Sequence, residues 1–150
     1  MNKGEESDLK SRILQEMVVD HSGTLERNLD LAKRFISITT AGKVEIVCKA
    51  KLIDKEKILL YLVGKQYAKT AELAEREHVG NKELANELGI PHDTIRRRLK
   101  DLRDEKKISQ LKEGKHVFHC IPENLVQRTL KAIEEKHVKK SVEKRGSNDA

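Results

Sequence analysis

Between residues 81 and 108 the apolar positions recur at helical spacing, lapse for one turn, and resume. Leu84, Ala85 and Leu88 make the inner stripe of a helix. Gly89 directly follows, where a helix end favours a left-handed residue without a Cβ. Pro91 cannot continue that helix but suits the start of another. Ile95, Leu99 and Leu102 then repeat at spacings of four and three. At 100° per residue, Asp93, Arg97, Lys100 and Asp104 fall opposite this second stripe, with Arg96 on the flank. Two helices joined by a tight turn are predicted, with the small Ala85 where they cross.

The flanking segments show weaker patterns. Residues 1–7 are polar and expected to be disordered. Leu9, Ile13, Leu14 and Met17 predict a helix over 8–19, capped by Asp8. After a turn at 21–24, Thr24 is the expected N-cap of a helix reaching about Arg34, with Leu25, Leu29, Ala32 and Phe35 or Ile36 on one face. Both helices are short, so they need each other, the later helices or a second subunit. The β-branched runs 35–39 and 43–49 flank a turn at 40–43 and predict a hairpin. That hairpin is open to two uses, an effector site or part of a dimer interface.

Ile58 to Val63 is an unbroken apolar run. A helix resting on one surface needs only a stripe, so this one, from Lys55 with Asp54 as cap, is expected to be covered on several sides. Gly64 costs roughly 1 kcal/mol against alanine in a helix interior. It marks either a close backbone crossing or a weak spot. The helix is expected to continue through Tyr67, Ala68, Ala71, Leu73 and Ala74, with residues 77–80 ending it. After Leu102, two β-prone runs flank residues 112–115, a hairpin with Gly114 in its turn. Pro122 ends the second strand. A helix over 123–140 then places Leu125, Val126, Leu130, Ile133 and His137 on one side. Residues 141–150 read as a polar, disordered tail.

The set Ala85, Gly89, Ile95, Leu99 and Leu102 resembles the helix-turn-helix of winged-helix DNA-binding proteins, a superfamily of prokaryotic-type regulators. The resemblance covers residues 54–121. It implies an α+β fold, mainly helical with small β elements. The winged helix-turn-helix domain would span 54–121. Residues 1–53 would supply N-terminal helices and a hairpin for dimerisation or an accessory role, and 122–140 a C-terminal helix. It also implies that the helix over 92–104 enters a DNA major groove, with the 108–121 hairpin as the wing.

Composition bears on partners. Of the 150 residues, 37% are hydrophobic and 37% charged, so the core is modest and dimerisation is a natural way to bury more. A net charge of +6 favours a polyanionic partner. No apolar run approaches the ~20 residues of a membrane span, and the polar start lacks a signal-peptide core, so a cytoplasmic location is expected. Cys48 and Cys120 each stand alone in an apolar segment and read as buried free thiols.

Arg96, Arg97 and Arg98 form the densest cationic run beside an apolar stripe already accounted for. A guanidinium fork suits guanine edges and phosphates. Arg97 and Lys100 point away from the core, and His92, Asp93 and Thr94 sit at the helix start, where base contacts concentrate. Arg98 lies nearer the core edge, suiting a phosphate contact or an internal ion pair. Lys82, Lys112 and Lys115 are further phosphate candidates, although Glu113 at the wing tip opposes this.

Other chemistries find less support. On a strand, His116 and Cys120 share a face about 13 Å apart while His119 faces away, so no metal site is expected. No Gly-rich phosphate loop, Cys–His pair or clustered acid pair suggests an enzyme or a cofactor. Phe35, Tyr61, Tyr67 and Phe118 all fall in core segments, which disfavours stacking on single-stranded nucleic acid. The expectation is a homodimeric regulator of transcription that binds double-stranded DNA. The alternative is a winged-helix protein-interaction module using Asp93, Asp101, Asp104 and Glu105.

Overall fold

The computed structural model describes residues 3–18, 23–47 and 49–148. Cys48, the first half of the turn expected at 21–24 and the helix end expected at Val19 lie outside the described residues. The chain is α+β. In order it forms α1 (Lys3–Glu16), α2 (Thr24–Arg27), α3 (Leu29–Ala32), β1 (Ile36–Ile38), β2 (Val44–Ile46), a 3₁₀ turn (Lys49–Lys51), α4 (Asp54–Thr70), β3 (Val79–Gly80), α5 (Asn81–Leu88), α6 (His92–Asp104), β4 (Ser109–Glu113), β5 (His116–Cys120) and α7 (Glu123–Asn148). β1 and β2 form one antiparallel sheet, and a second has the order β3-β5-β4.

α4 is the organising helix. Every residue from Ile58 to Gly64 is buried, as a helix apolar most of the way round requires. α5, α6, α7 and the β1–β2 hairpin all pack on it. Gly64 is a close crossing: a Cβ there would stand 2.4 Å from Val44 Cγ1 and 3.2 Å from Ile36 Cγ2. The hairpin therefore rests directly on the α4 backbone, with Ile36 and Val44 buried. Tyr67 Oη donates to the Leu25 carbonyl at 2.7 Å, and Gln66 Nε2 to that of Ile121 at 2.8 Å. One cluster of buried side chains runs from Leu25 to Ile133.

Several boundaries differ from expectation. α4 ends at Thr70, not near Ala74. Glu72 adopts a left-handed φ of +61°, its N–H bonds the Lys69 carbonyl, and the Leu73 N–H bonds that of Ala68 at 2.8 Å. That pair of bonds closes a helix whatever residue occupies the turn. Leu73 is left exposed. Asp54 lies inside the first turn rather than capping it, and Glu56 Oε1 accepts the Ile53 N–H at 3.0 Å.

The helix expected over 24–34 is two short pieces. Asn28 interrupts it: buried, it donates from Nδ2 to the Thr24 carbonyl at 2.7 Å, and it lies 3.4 Å from Gln127 Oε1. A side chain competing for local backbone groups breaks a helix in this way. Thr24 is the first helical residue after Gly23 rather than the cap, and Leu29 faces solvent while Leu25 and Ala32 are buried. α7 continues to Asn148, past Lys140 where a polar tail was expected. The added segment is mostly helix-compatible, with Gly146 its poorest former. α1 likewise begins at Lys3, inside the stretch expected to be disordered.

Candidate functional site

α5 and α6 meet at a turn set by Gly89 at φ +64°, and the Ile90 N–H donates to the Ala85 carbonyl at 3.2 Å. Pro91 caps the second helix, and the Ile95 N–H reaches its carbonyl at 3.0 Å. Leu84, Ala85 and Leu88 on α5, and Ile95, Leu99 and Leu102 on α6, are all buried. Burying each large aliphatic side chain is worth about 1.5–3 kcal/mol. That fixes the rotation of α6 about its axis and hence which residues face outward. At its far end Glu105 accepts from Lys55 Nζ at 2.7 Å and Lys107 Nζ at 3.2 Å, and both hold its carboxyl below the usual range.

The outward residues are His92, Asp93, Arg96, Arg97 and Lys100, all exposed, with Thr94 and Arg98 half-buried. Arg96 pairs with Asp93 at 2.6 Å, and Arg98 with Asp101 at 3.0 Å, each within α6. Among the described residues no ion pair or hydrogen bond engages Arg97 or Lys100. The Arg96–Asp93 pair is largely solvated, so its cost of opening is at most about 1 kcal/mol.

β4 and β5 form a hairpin with the two-residue loop Gly114–Lys115, Glu113 lying opposite His116. Gly114 takes the first loop position at φ +61°, the place that needs glycine in such tight loops. Lys112 and Glu113 belong to the strand rather than to the turn. Lys112, Lys115 and, on α5, Lys82 are exposed. Arg103 ties the hairpin to α6, donating from Nη1 to Gln110 Oε1 at 3.0 Å.

Three features escaped the sequence reading. β3 joins the sheet by pairing Val79 with His119. Arg76, just before it, contacts Glu113 at 2.8 Å and lies over the Phe118 ring at 4.8 Å from the centroid. The Glu113 carboxylate, expected to oppose an anionic partner, is therefore paired with a guanidinium. His119 is buried, with Nε2 2.7 Å from Asn81 Oδ1. An amide oxygen only accepts, so Nε2 carries the proton and Nδ1 is left without a partner. Burial, then the charge of Arg103, pushes this histidine down to about 4.

His116 is exposed while His119 and Cys120 are buried, so the three do not converge, and among the described residues no group of potential ligands could hold a metal ion. Tyr61 is buried and Phe35, Tyr67 and Phe118 are partly so. Among the described residues no helix is long and apolar enough to cross a membrane. Compared with protein-family models and with curated proteins, the chain matches none.

Proposed function

We propose that the chain is a winged-helix protein that binds double-stranded DNA sequence-specifically, as a homodimeric transcription regulator in the cytoplasm. α6 enters the major groove, Arg97 and Lys100 reaching base edges or phosphates. The β4–β5 hairpin serves as the wing, with Lys112 and Lys115 on the backbone. His92, Asp93, Thr94, Arg96, Arg98 and Lys82 complete the surface. No catalysis and no cofactor belong to this reading. The observation that carries it is the pairing of a fully buried stripe, Ile95, Leu99 and Leu102, with an opposite face where Arg97 and Lys100 are exposed and unengaged.

The test is a titration of labelled duplex at two salt concentrations. Between about 50 and 200 mM salt the affinity should fall by orders of magnitude if several phosphates are neutralised. Affinity indifferent to salt contradicts the reading. The ion pairs Arg96–Asp93 and Arg98–Asp101 favour the second reading, a protein-docking module, because they reduce the free positive charge of α6. That reading requires a stoichiometric protein complex that survives nuclease treatment, and no duplex binding near physiological salt.

A further inference from the structure

Among the described residues, the side chains of the first helix are left unburied. Every described side chain from Asp8 to Val18 is exposed. Leu9 is 59%, Ile13 41%, Leu14 55%, Met17 76% and Val18 52% exposed. Within α1, at 100° per residue, Leu9 and Ile13 make one stripe with Leu14 on its flank, and Met17 and Val18 extend the apolar end just past the last helical residue, Glu16. A helix of 14 residues is marginal in water by itself, and this one leaves its apolar face in water. Its stability calls for a surface that the described residues of one chain do not provide.

We propose that α1 is the dimerisation element and pairs antiparallel with α1 of a second copy. The proposal deepens the homodimer part of the reading above and stands apart from DNA recognition. Area argues for a second copy. The five side chains expose on the order of 500 Å² per chain, so pairing two 9–18 segments removes up to about 1,000 Å², where specific interfaces begin. Charge argues for the direction. Residues 3–8 carry Lys3 against Glu5, Glu6 and Asp8, whereas residues 9–16 carry Lys10 and Arg12 against Glu16. Antiparallel pairing sets the acidic half of each helix against the basic half of the other, while parallel pairing sets like against like. A twofold axis through the middle of α1 closes the contact after two copies, so the assembly stops at a dimer.

Analytical ultracentrifugation of the full chain over a concentration series tests this. The expected result is a dimer whose Kd rises about a hundredfold or more in Leu9→Asp/Ile13→Asp, because two charges enter an apolar seam. The monomer so produced should still unfold cooperatively, since neither side chain packs on its own body. Glu5→Lys/Glu6→Lys should also weaken the dimer, and adding Lys10→Glu/Arg12→Glu to the same chain should restore it. A wild-type chain that stays monomeric at high micromolar concentration overturns the proposal. So does a dimer indifferent to Leu9→Asp/Ile13→Asp. Dissociation by the aspartates together with indifference to the charge reversals overturns the antiparallel arrangement. Duplex titrations on the same samples keep the two questions separate: an intact dimer that ignores DNA removes the DNA-binding reading and leaves α1 pairing standing.

Discussion

Alanine at position 64 should loosen the β1–β2 hairpin from α4. In an exposed helix interior the change would be favourable by about 1 kcal/mol, the propensity difference between the two residues. Here the new methyl would stand 2.4 Å from Val44 Cγ1, 3.0 Å from Val44 Cγ2 and 3.2 Å from Ile36 Cγ2. Carbon atoms in contact prefer about 3.5–4.0 Å, so hairpin or helix has to retreat by roughly an ångström. Overpacking of this kind costs about 1–3 kcal/mol. The net expectation for Gly64→Ala is a loss of about 1 kcal/mol. Val44→Ala removes both methyls that collide, leaving Ile36 as the nearest neighbour. In that background the same substitution should be neutral or stabilising, a coupling of about 2 kcal/mol between the two sites. Urea unfolding at one fixed protein concentration reads all four stabilities, and the m-value shows whether the native state stays compact. Gly64→Ala that stabilises the unaltered protein, or costs the same with and without Val44, would refute docking of the hairpin at this glycine.

Other expectations are independent of that crossing. Lys106 closes α6 at φ +59°, its N–H on the Arg103 carbonyl at 2.9 Å and that of Lys107 on the Leu102 carbonyl at 2.9 Å; Lys106→Gly should raise stability by about 0.5–1 kcal/mol in thermal melts, and a loss would contradict the strain. His119 takes up a proton more readily in the unfolded chain than in the folded one, so its contribution is complete above about pH 6.5 and is lost as the pH falls toward 4. Urea unfolding at neutral and acidic pH should show a fall of roughly 2–3 kcal/mol that is absent in His119→Gln, and equal pH dependence in the two proteins would sink the assignment. On the proposed DNA-binding reading, Arg76→Ala should weaken duplex binding by freeing the Glu113 carboxylate beside the β4–β5 loop, and Glu113→Gln added to it should restore most of the loss in a binding titration; a failure to rescue means that Arg76 acts by other means.

How far the chain could be read without coordinates depended on how local each signal was. The α5–turn–α6 segment was legible because its determinants lie within about twenty residues: two apolar stripes, a glycine at the left-handed position and a proline at the next start. The α4 run was legible as a covered helix, but what covers it was not, because the hairpin meets Gly64 through side chains some twenty to thirty residues earlier. The end of α4 was missed because a glutamate, not a glycine, takes the left-handed position. β3 was missed because two residues are too few for alternation, and its pairing with β5 is a long-range event. The outward face of α6 followed from helical geometry, and coordinates added what rotation alone omits: Arg96 and Arg98 have partners on their own helix, whereas Arg97 and Lys100 do not. The Arg76–Glu113 pair joins residues 37 positions apart and left no trace in either local pattern.

The outward face of α6 is tested most directly by selecting bound duplexes from a random pool and repeating the selection with Arg97→Ala/Lys100→Ala. The wild-type chain should enrich an inverted repeat with half-sites about one helical turn apart. The variant should lose about 1–3 kcal/mol at particular positions of that site, and its preference there should relax. A pool that shows no enrichment, or a variant that selects the same site with the same affinity, would contradict a DNA-reading role for this helix.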